Sequence, residues 1–244
     1  MIRLTIIIIT LFLIQISSSA QNIYKLNYST ESFIANSSLA LFGFNEPIKS
    51  NLLGFTKDEL NSLSQAKIPN YDRFVIGLWN PGASSRSDVI VYSSALLGAS
   101  AALIPSLISK KWNTSIPTAS ILIEVNLLTL LSTEIVKNTF SRSRPFAYSD
   151  LAPISLRTSK DARKSFFSGH TSLSAANSFY AAKVFTDHYP KSRLKPLAWA
   201  VAIVIPAITA YHRVISGEHF LSDVLVGYSF GALIGYTIPL IHTD

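Results

Sequence analysis

The chain has 244 residues, 48% of them hydrophobic and only 14% charged, and a mean hydropathy of +0.33 leaves too few polar residues to cover a water-exposed surface. One membrane-associated domain is the expectation. A net charge of +7 suits an anionic membrane, an anionic substrate or nucleic acid alike, whereas the lack of cysteine excludes disulfides, thiolate catalysis and cysteine-ligated zinc.

Residues 1–20 read as an export signal, with Arg3 as its positive end, an apolar run over 4–16, and small Ser18 and Ala20 ahead of Gln21. A retained anchor is the competing reading. Residues 21–87 are mixed and form an exported or interfacial segment, in which Thr56 and Glu59 carry the spacing of a helix capping box. Asn45, Glu46, Pro47 and Lys49 interrupt the apolar stretch 34–55 before membrane length, so that stretch is predicted to lie at the interface.

The main domain is predicted over 88–242. Segments 89–108 and 116–136 are apolar and long enough to cover about 30 Å as helices. Helical segments follow at 172–184, 197–211 and 221–241. Gly and Ala within 97–102 and 227–231 would let helix backbones approach closely. The basic loop 138–167 is the one long excursion among them, and long loops in compact domains are usually functional.

Three polar clusters stand at the ends of these segments. Lys137 and Arg144 are seven residues apart, so a helix persisting to Pro145 projects both cations from one face, where they can grip a dianion. A snorkelling cationic collar explains this cluster equally well by itself. Ser168, Gly169 and His170 precede a helical segment whose first N–H groups favour phosphate. Ser168 adds a donor, Gly169 permits close approach, and His170 can protonate a leaving oxygen; an isolated Ser-Gly-His is also an ordinary capped helix start. His219 and Asp223 are four apart, on one face if helical, where the carboxylate can hold the imidazole tautomer for nucleophilic work. A structural His–Asp cap is the alternative. Arg213 folds back toward the same place across the turn-like Ser216-Gly217-Glu218.

Together these residues match the needs of phosphoryl transfer through a phosphohistidine. Glu134, one turn before Lys137, reads as its helix-terminal salt-bridge partner. Glu124, in the middle of an apolar span, has no sequence-level explanation.

In order and spacing, Lys137-x6-Arg144-Pro145, Ser168-Gly169-His170 and Arg213-x5-His219-x3-Asp223 resemble the three-part signature of the type 2 phosphatidic acid phosphatase superfamily, over roughly residues 87–241. The resemblance implies an all-α, membrane-embedded bundle of about five to six helices with an acid phosphatase/haloperoxidase-like core. It implies His219 as nucleophile, Asp223 as its orienting acid and His170 as proton donor to the leaving alcohol. Lys137, Arg144, Ser168, Gly169 and Arg213 would hold the phosphate oxygens, with no metal and no other cofactor.

Phe167 and His212 stand where the family often has proline and serine, which leaves the subfamily and the substrate open. Hydrolysis of a lipid phosphomonoester or diphosphate leads, with phosphatidic acid, polyprenyl diphosphate and lipid A-type phosphates as substrates and no nucleic acid partner. A secreted soluble acid phosphatase, a vanadate-dependent haloperoxidase and a protein that only binds lipid phosphate are the rivals. With 21–87 outside, all three motifs fall on the exported (periplasmic) side of a bacterial-type inner membrane or envelope; were 34–55 to span, the site would face inward.

Overall fold

A computed structural model of the chain describes residues 23–110 and 112–243, so the expected export signal lies outside the described residues. Among those residues the regular structure is helical: α1 (Tyr28–Asn51), α2 (Lys57–Asn61), α3 (Asn70–Arg73), α4 (Pro81–Ser109), α5 (Ser115–Phe140), α6 (Ile154–Arg157), α7 (Gly169–His188), α8 (Lys195–Ile215) and α9 (Leu221–Leu240). The chain is an all-α membrane protein. Its short helices raise the count above the five to six expected.

Local chemistry sets several boundaries. Pro81 occupies the first turn of α4, and the Asn80 side chain accepts the Ala83 N–H at 3.0 Å. The capping box read at Thr56 forms, with Thr56 Oγ1 accepting the Glu59 N–H and the Glu59 carboxylate accepting the Thr56 N–H.

The segments containing α4, α5, α8 and α9 are long and apolar enough to cross a membrane. Leu96, Ile123, Ile203 and Leu233 are among the apolar side chains they expose. α7 differs because α4, α5, α8 and α9 all pack against it. It therefore faces protein rather than lipid, and Thr171, Ser172, Ser174, Asn177 and Ser178 are buried in it. That position explains why its sequence is too polar to read as a span.

The tightest packing lies between α7 and α9. A Cβ on Gly227, Gly231 or Gly235 would stand 2.6, 2.0 or 2.2 Å from the carbonyl oxygen of Ser168, Ser172 or Ala176 respectively. Spacing by four puts all three glycines on one face, and their lack of side chains lets the two backbones touch.

Residues 28–51, which hold most of the stretch expected at the interface, form α1, which is not among the helices long and apolar enough to cross a membrane. α1 lies lengthwise on α5 and runs in the same direction: Glu31 meets the Glu124 region, and Asn138 Nδ2 donates to Asn45 Oδ1 at 2.6 Å. These contacts span about 21 Å of helix. Ser38 and Asn45 are buried between the helices, while Phe33, Leu39, Phe42 and Phe44 point outward. Of the residues that break the apolar run in sequence, Asn45 thus faces protein, whereas Glu46, Pro47 and Lys49 stay exposed. The two ends of the described chain meet at the Glu124 end of α5, where Tyr24 bridges Thr243 and the Lys25 N–H donates to the His242 carbonyl at 3.0 Å.

Candidate active site

The other end of the bundle collects the ends of α5 and α8, the starts of α4, α7 and α9, and the loop 141–168. All three sequence clusters arrive there. The path of the first differs from expectation, because α5 stops at Phe140 and Arg144 sits in extended backbone before a 3-10 turn at Pro145–Tyr148. Lys137 and Arg144 therefore do not share a helix face. The loop carries Arg144 back over the site instead, held where its N–H donates to the Ala162 carbonyl at 2.8 Å.

His219 is fully buried in the turn ahead of α9. Its Nδ1 lies 2.7 Å from the Ser165 carbonyl oxygen, which can only accept, so Nδ1 carries the hydrogen. In the neutral ring Nε2 then keeps its lone pair, and Nε2 has no hydrogen-bond partner. Burial, followed by the charges of Arg144, Arg213, Lys137 and His170, holds the His219 pKa well below its ordinary 6.5.

Asp223 also falls at the start of α9, but its Oδ2 is 3.8 Å from Nδ1 of His219, beyond a hydrogen bond. Its carboxylate is occupied by the Ser165 hydroxyl, the Phe220 N–H at 2.9 Å and Arg142. Arg142 reaches on to Asp72 at 2.8 Å, and Asp72 accepts both the N–H and the hydroxyl of Ser222. Asp223 thus connects to His219 through Ser165, whose hydroxyl it binds and whose carbonyl holds the ring.

The cations surround this histidine. Arg213 donates to Ser84 Oγ at 3.0 Å and Ser87 Oγ at 3.2 Å, while its Nε is buried without a partner. Arg144 donates to the Asp161 carboxylate at 2.9 Å. Glu218 bridges the two arginines, accepting from Arg144 and lying 3.1 Å from Arg213 Nη2. A Cβ on Gly169 would be 3.3 Å from the amine of Lys137, so the lysine rests on the start of α7. Glu134 does not pair with Lys137 as expected; it meets Lys164 at 3.3 Å.

Ser168 caps α7, its hydroxyl 3.0 Å from that of Thr171. His170 Nε2 is 2.8 Å from Asp88 Oδ1. Asp88, Glu218, Arg142, Asp72 and Ser165 are the site residues that sequence reasoning missed. Only Glu218 had a visible cue, its place directly before His219.

A cavity of about 300 Å³ opens beside these groups. Asp88, Lys137, Gly169 and His170 form its polar wall, and Tyr92, Leu130 and Leu173 its apolar one. Tyr92 and Leu130 are themselves exposed, so the apolar wall of the cavity continues sideways onto the outer faces of α4 and α5.

Comparison with known proteins places the chain in a family. The chain is 25% identical over 125 residues to the lipid A 4'-phosphatase of Porphyromonas gingivalis, covering 50% of each chain. It is 32% identical over 109 residues to phosphatidylglycerophosphatase B of Bacillus subtilis, covering 44% of this chain and 50% of that one. The chain thus spans about half the length of the curated relatives it matches. Its fold is similar to the crystal structure of a transmembrane PAP2-type phosphatidylglycerolphosphate phosphatase from Bacillus subtilis, with a TM-score of 0.51 and 23% identity over 84% of this chain and 94% of that one. The family model described as the PAP2 superfamily matches residues 118–244, more than half of the sequence and all three clusters, and the chain belongs to that superfamily.

Proposed function

We propose that the protein hydrolyses a lipid phosphomonoester or diphosphate through a phosphohistidine on His219. The observation that carries the reading is the fixed tautomer of His219, whose unprotonated Nε2 lies among Arg144, Arg213 and Lys137. The Nε2 lone pair attacks phosphorus, the P–O bond to the leaving alcohol breaks, and His170 gives that oxygen its proton. Burial and Arg213 lower the His170 pKa to about 4 before substrate binds, so the ring takes up this proton when the phosphate dianion binds beside it. Water then attacks the phosphohistidine, His170 accepts the water proton, and the P–N bond breaks to free phosphate and His219. Because Nε2 of His170 is held by Asp88, Nδ1 is the nitrogen that serves both transfers.

Arg144, Arg213 and Lys137, with Ser168 and the first N–H groups of α7, stabilise charge on the transferring oxygens. For the phosphate to engage both arginines, Glu218 must yield its place between them.

A lipid substrate is supported by the sideways-opening apolar wall of the cavity and by the two relatives, whose names describe lipid phosphatases. Phosphatidic acid, polyprenyl diphosphate and lipid A-type phosphates are the candidates. The test is phosphate release by the detergent-purified protein from each of them. Release from at least one, abolished in His219→Ala, supports the proposal; no release from any of them overturns it.

The reading includes a site on the exported side. Lys25, Lys110, Lys191, Arg193 and Lys195 lie at the opposite end of the bundle, but the site-end loop with Arg142, Arg157, Lys160, Arg163 and Lys164 is at least as basic, so charge does not choose the side and thiol labelling does. With α1 lying along α5, this orientation puts residue 23 on the inner side. A signal cleaved on the outside would instead turn the site inward. Cysteine placed at Ser155 should label with an impermeant thiol reagent in intact spheroplasts, and cysteine at Ser192 only after permeabilisation; the reverse pattern puts the site inside.

A further inference from the structure

We propose that Glu31, Glu124 and His242 bind one divalent transition-metal ion of the zinc class, at the end of the bundle remote from His219. The three residues come from α1, the interior of α5 and the chain just after α9, and one ligand atom from each lies within 4.8 Å of the others. His242 Nε2 is 3.0 Å from Glu31 Oε1 and 3.4 Å from Glu124 Oε2. Around a tetrahedral ion with bonds of about 2.0–2.1 Å, ligand atoms stand roughly 3.3–3.4 Å apart. Both distances from His242 are therefore already near the spacing such an ion requires.

The histidine is set up as a ligand. Its Nδ1 is 2.8 Å from the Ile238 carbonyl oxygen, which can only accept, so Nδ1 holds a hydrogen, and loss of the proton now shared between Nε2 and Glu31 at 3.0 Å would turn the Nε2 lone pair toward an ion between the carboxylates. Glu124 supplies an independent observation: the residue is only 9% exposed, and although its side chain is hydrogen-bonded to Glu31, its Oε2 is buried with no hydrogen-bond partner. A buried carboxyl oxygen without a donor is costly, and the two adjacent carboxyl groups can both ionise only beside a positive charge. A cation bound between them relieves both.

The ligand set selects the ion. One imidazole and two carboxylates suit zinc and its neighbours, whereas calcium and magnesium prefer all-oxygen shells with more ligands. A water would complete the tetrahedron. From Glu124 to Lys137 is about 20 Å along α5, so the ion takes no part in phosphate chemistry. It would clamp α1 to α5 and to the end of α9, which gives a role to the charged residue inside an apolar span.

The test uses the full chain in detergent, stripped with EDTA, dialysed and titrated with Co²⁺ and Zn²⁺. The expected result is one equivalent of Co²⁺ with the intense visible bands of a tetrahedral site, and a melting temperature that rises with Zn²⁺. Glu124→Gln and, as a milder variant at a partly exposed ligand, Glu31→Gln should each weaken binding by about 10–100-fold. Phosphate release by the stripped wild type should be unchanged at low temperature, which separates this site from the phosphatase reading. Absence of the tetrahedral bands, or equal metal affinity in wild type and Glu31→Gln, overturns the proposal and leaves the three residues as an ion-pair network.

Discussion

The carbonyl oxygen of Ser165 lies 2.7 Å from Nδ1 of His219 and decides which ring nitrogen is free. Because Asp223 stands 3.8 Å from the same nitrogen and binds the Ser165 hydroxyl, its influence on the ring is indirect. His219→Ala should therefore abolish turnover in a folded protein. Asp223→Asn should lower kcat by about 10–100-fold without abolishing it, since the carbonyl still selects the tautomer. Equal loss in both variants, measured by phosphate release, would show that the carboxylate and not the carbonyl governs the ring.

Glu218 competes with substrate for Arg144 and Arg213. Displacing a bound carboxylate reduces apparent affinity by the fraction of protein in which the arginines are free. Glu218→Gln should lower the inhibition constant of inorganic phosphate by roughly 3–10-fold, with kcat little changed. A raised inhibition constant would mean that Glu218 positions the arginines instead of competing for them.

The depressed pKa of His219 has a defined sign. A histidine folded in its neutral form adds stability above its unfolded pKa near 6.5, and that contribution is lost as pH falls below it, because the unfolded chain takes up the proton. The melting temperature of wild type should fall between about pH 7 and pH 5, and less steeply in His219→Asn. The acid limb of kcat/KM that belongs to the nucleophile should lie below pH 6.5.

Charge on the transferring phosphate is assigned to Lys137, Arg144 and Arg213, so initial rates should survive EDTA at low temperature. Vanadate, which mimics the five-coordinate transition state, should inhibit. Loss of the initial rate in EDTA, restored by a divalent ion, contradicts this assignment.

Gly231→Ala should destabilise the protein by several kcal/mol, because the new Cβ would lie 2.0 Å from the backbone carbonyl of Ser172 and neither helix can yield without separating. A melting temperature within error of wild type would show that α7 and α9 pack less closely.

The sequence by itself determined the residue types and spacings of the three clusters and the apolar segments that carry them. Chemistry and hydropathy are both written in local order, so Lys137, Arg144, Ser168, Gly169, His170, Arg213, His219 and Asp223 could be singled out without coordinates. Only the tertiary structure decided what each of them touches. Asp88 is 82 positions from His170, and the partner of His219 is a backbone carbonyl, a group that every residue carries and no motif records. The same holds for α7 and α1. α7 reads as too polar to span because its neighbours are protein, and in α1 Ser38 and Asn45 are polar because they face α5, while Glu46, Pro47 and Lys49 stay outside. Burial against another helix inverts the meaning of a polar residue, and which helix lies alongside is settled by packing over the whole chain.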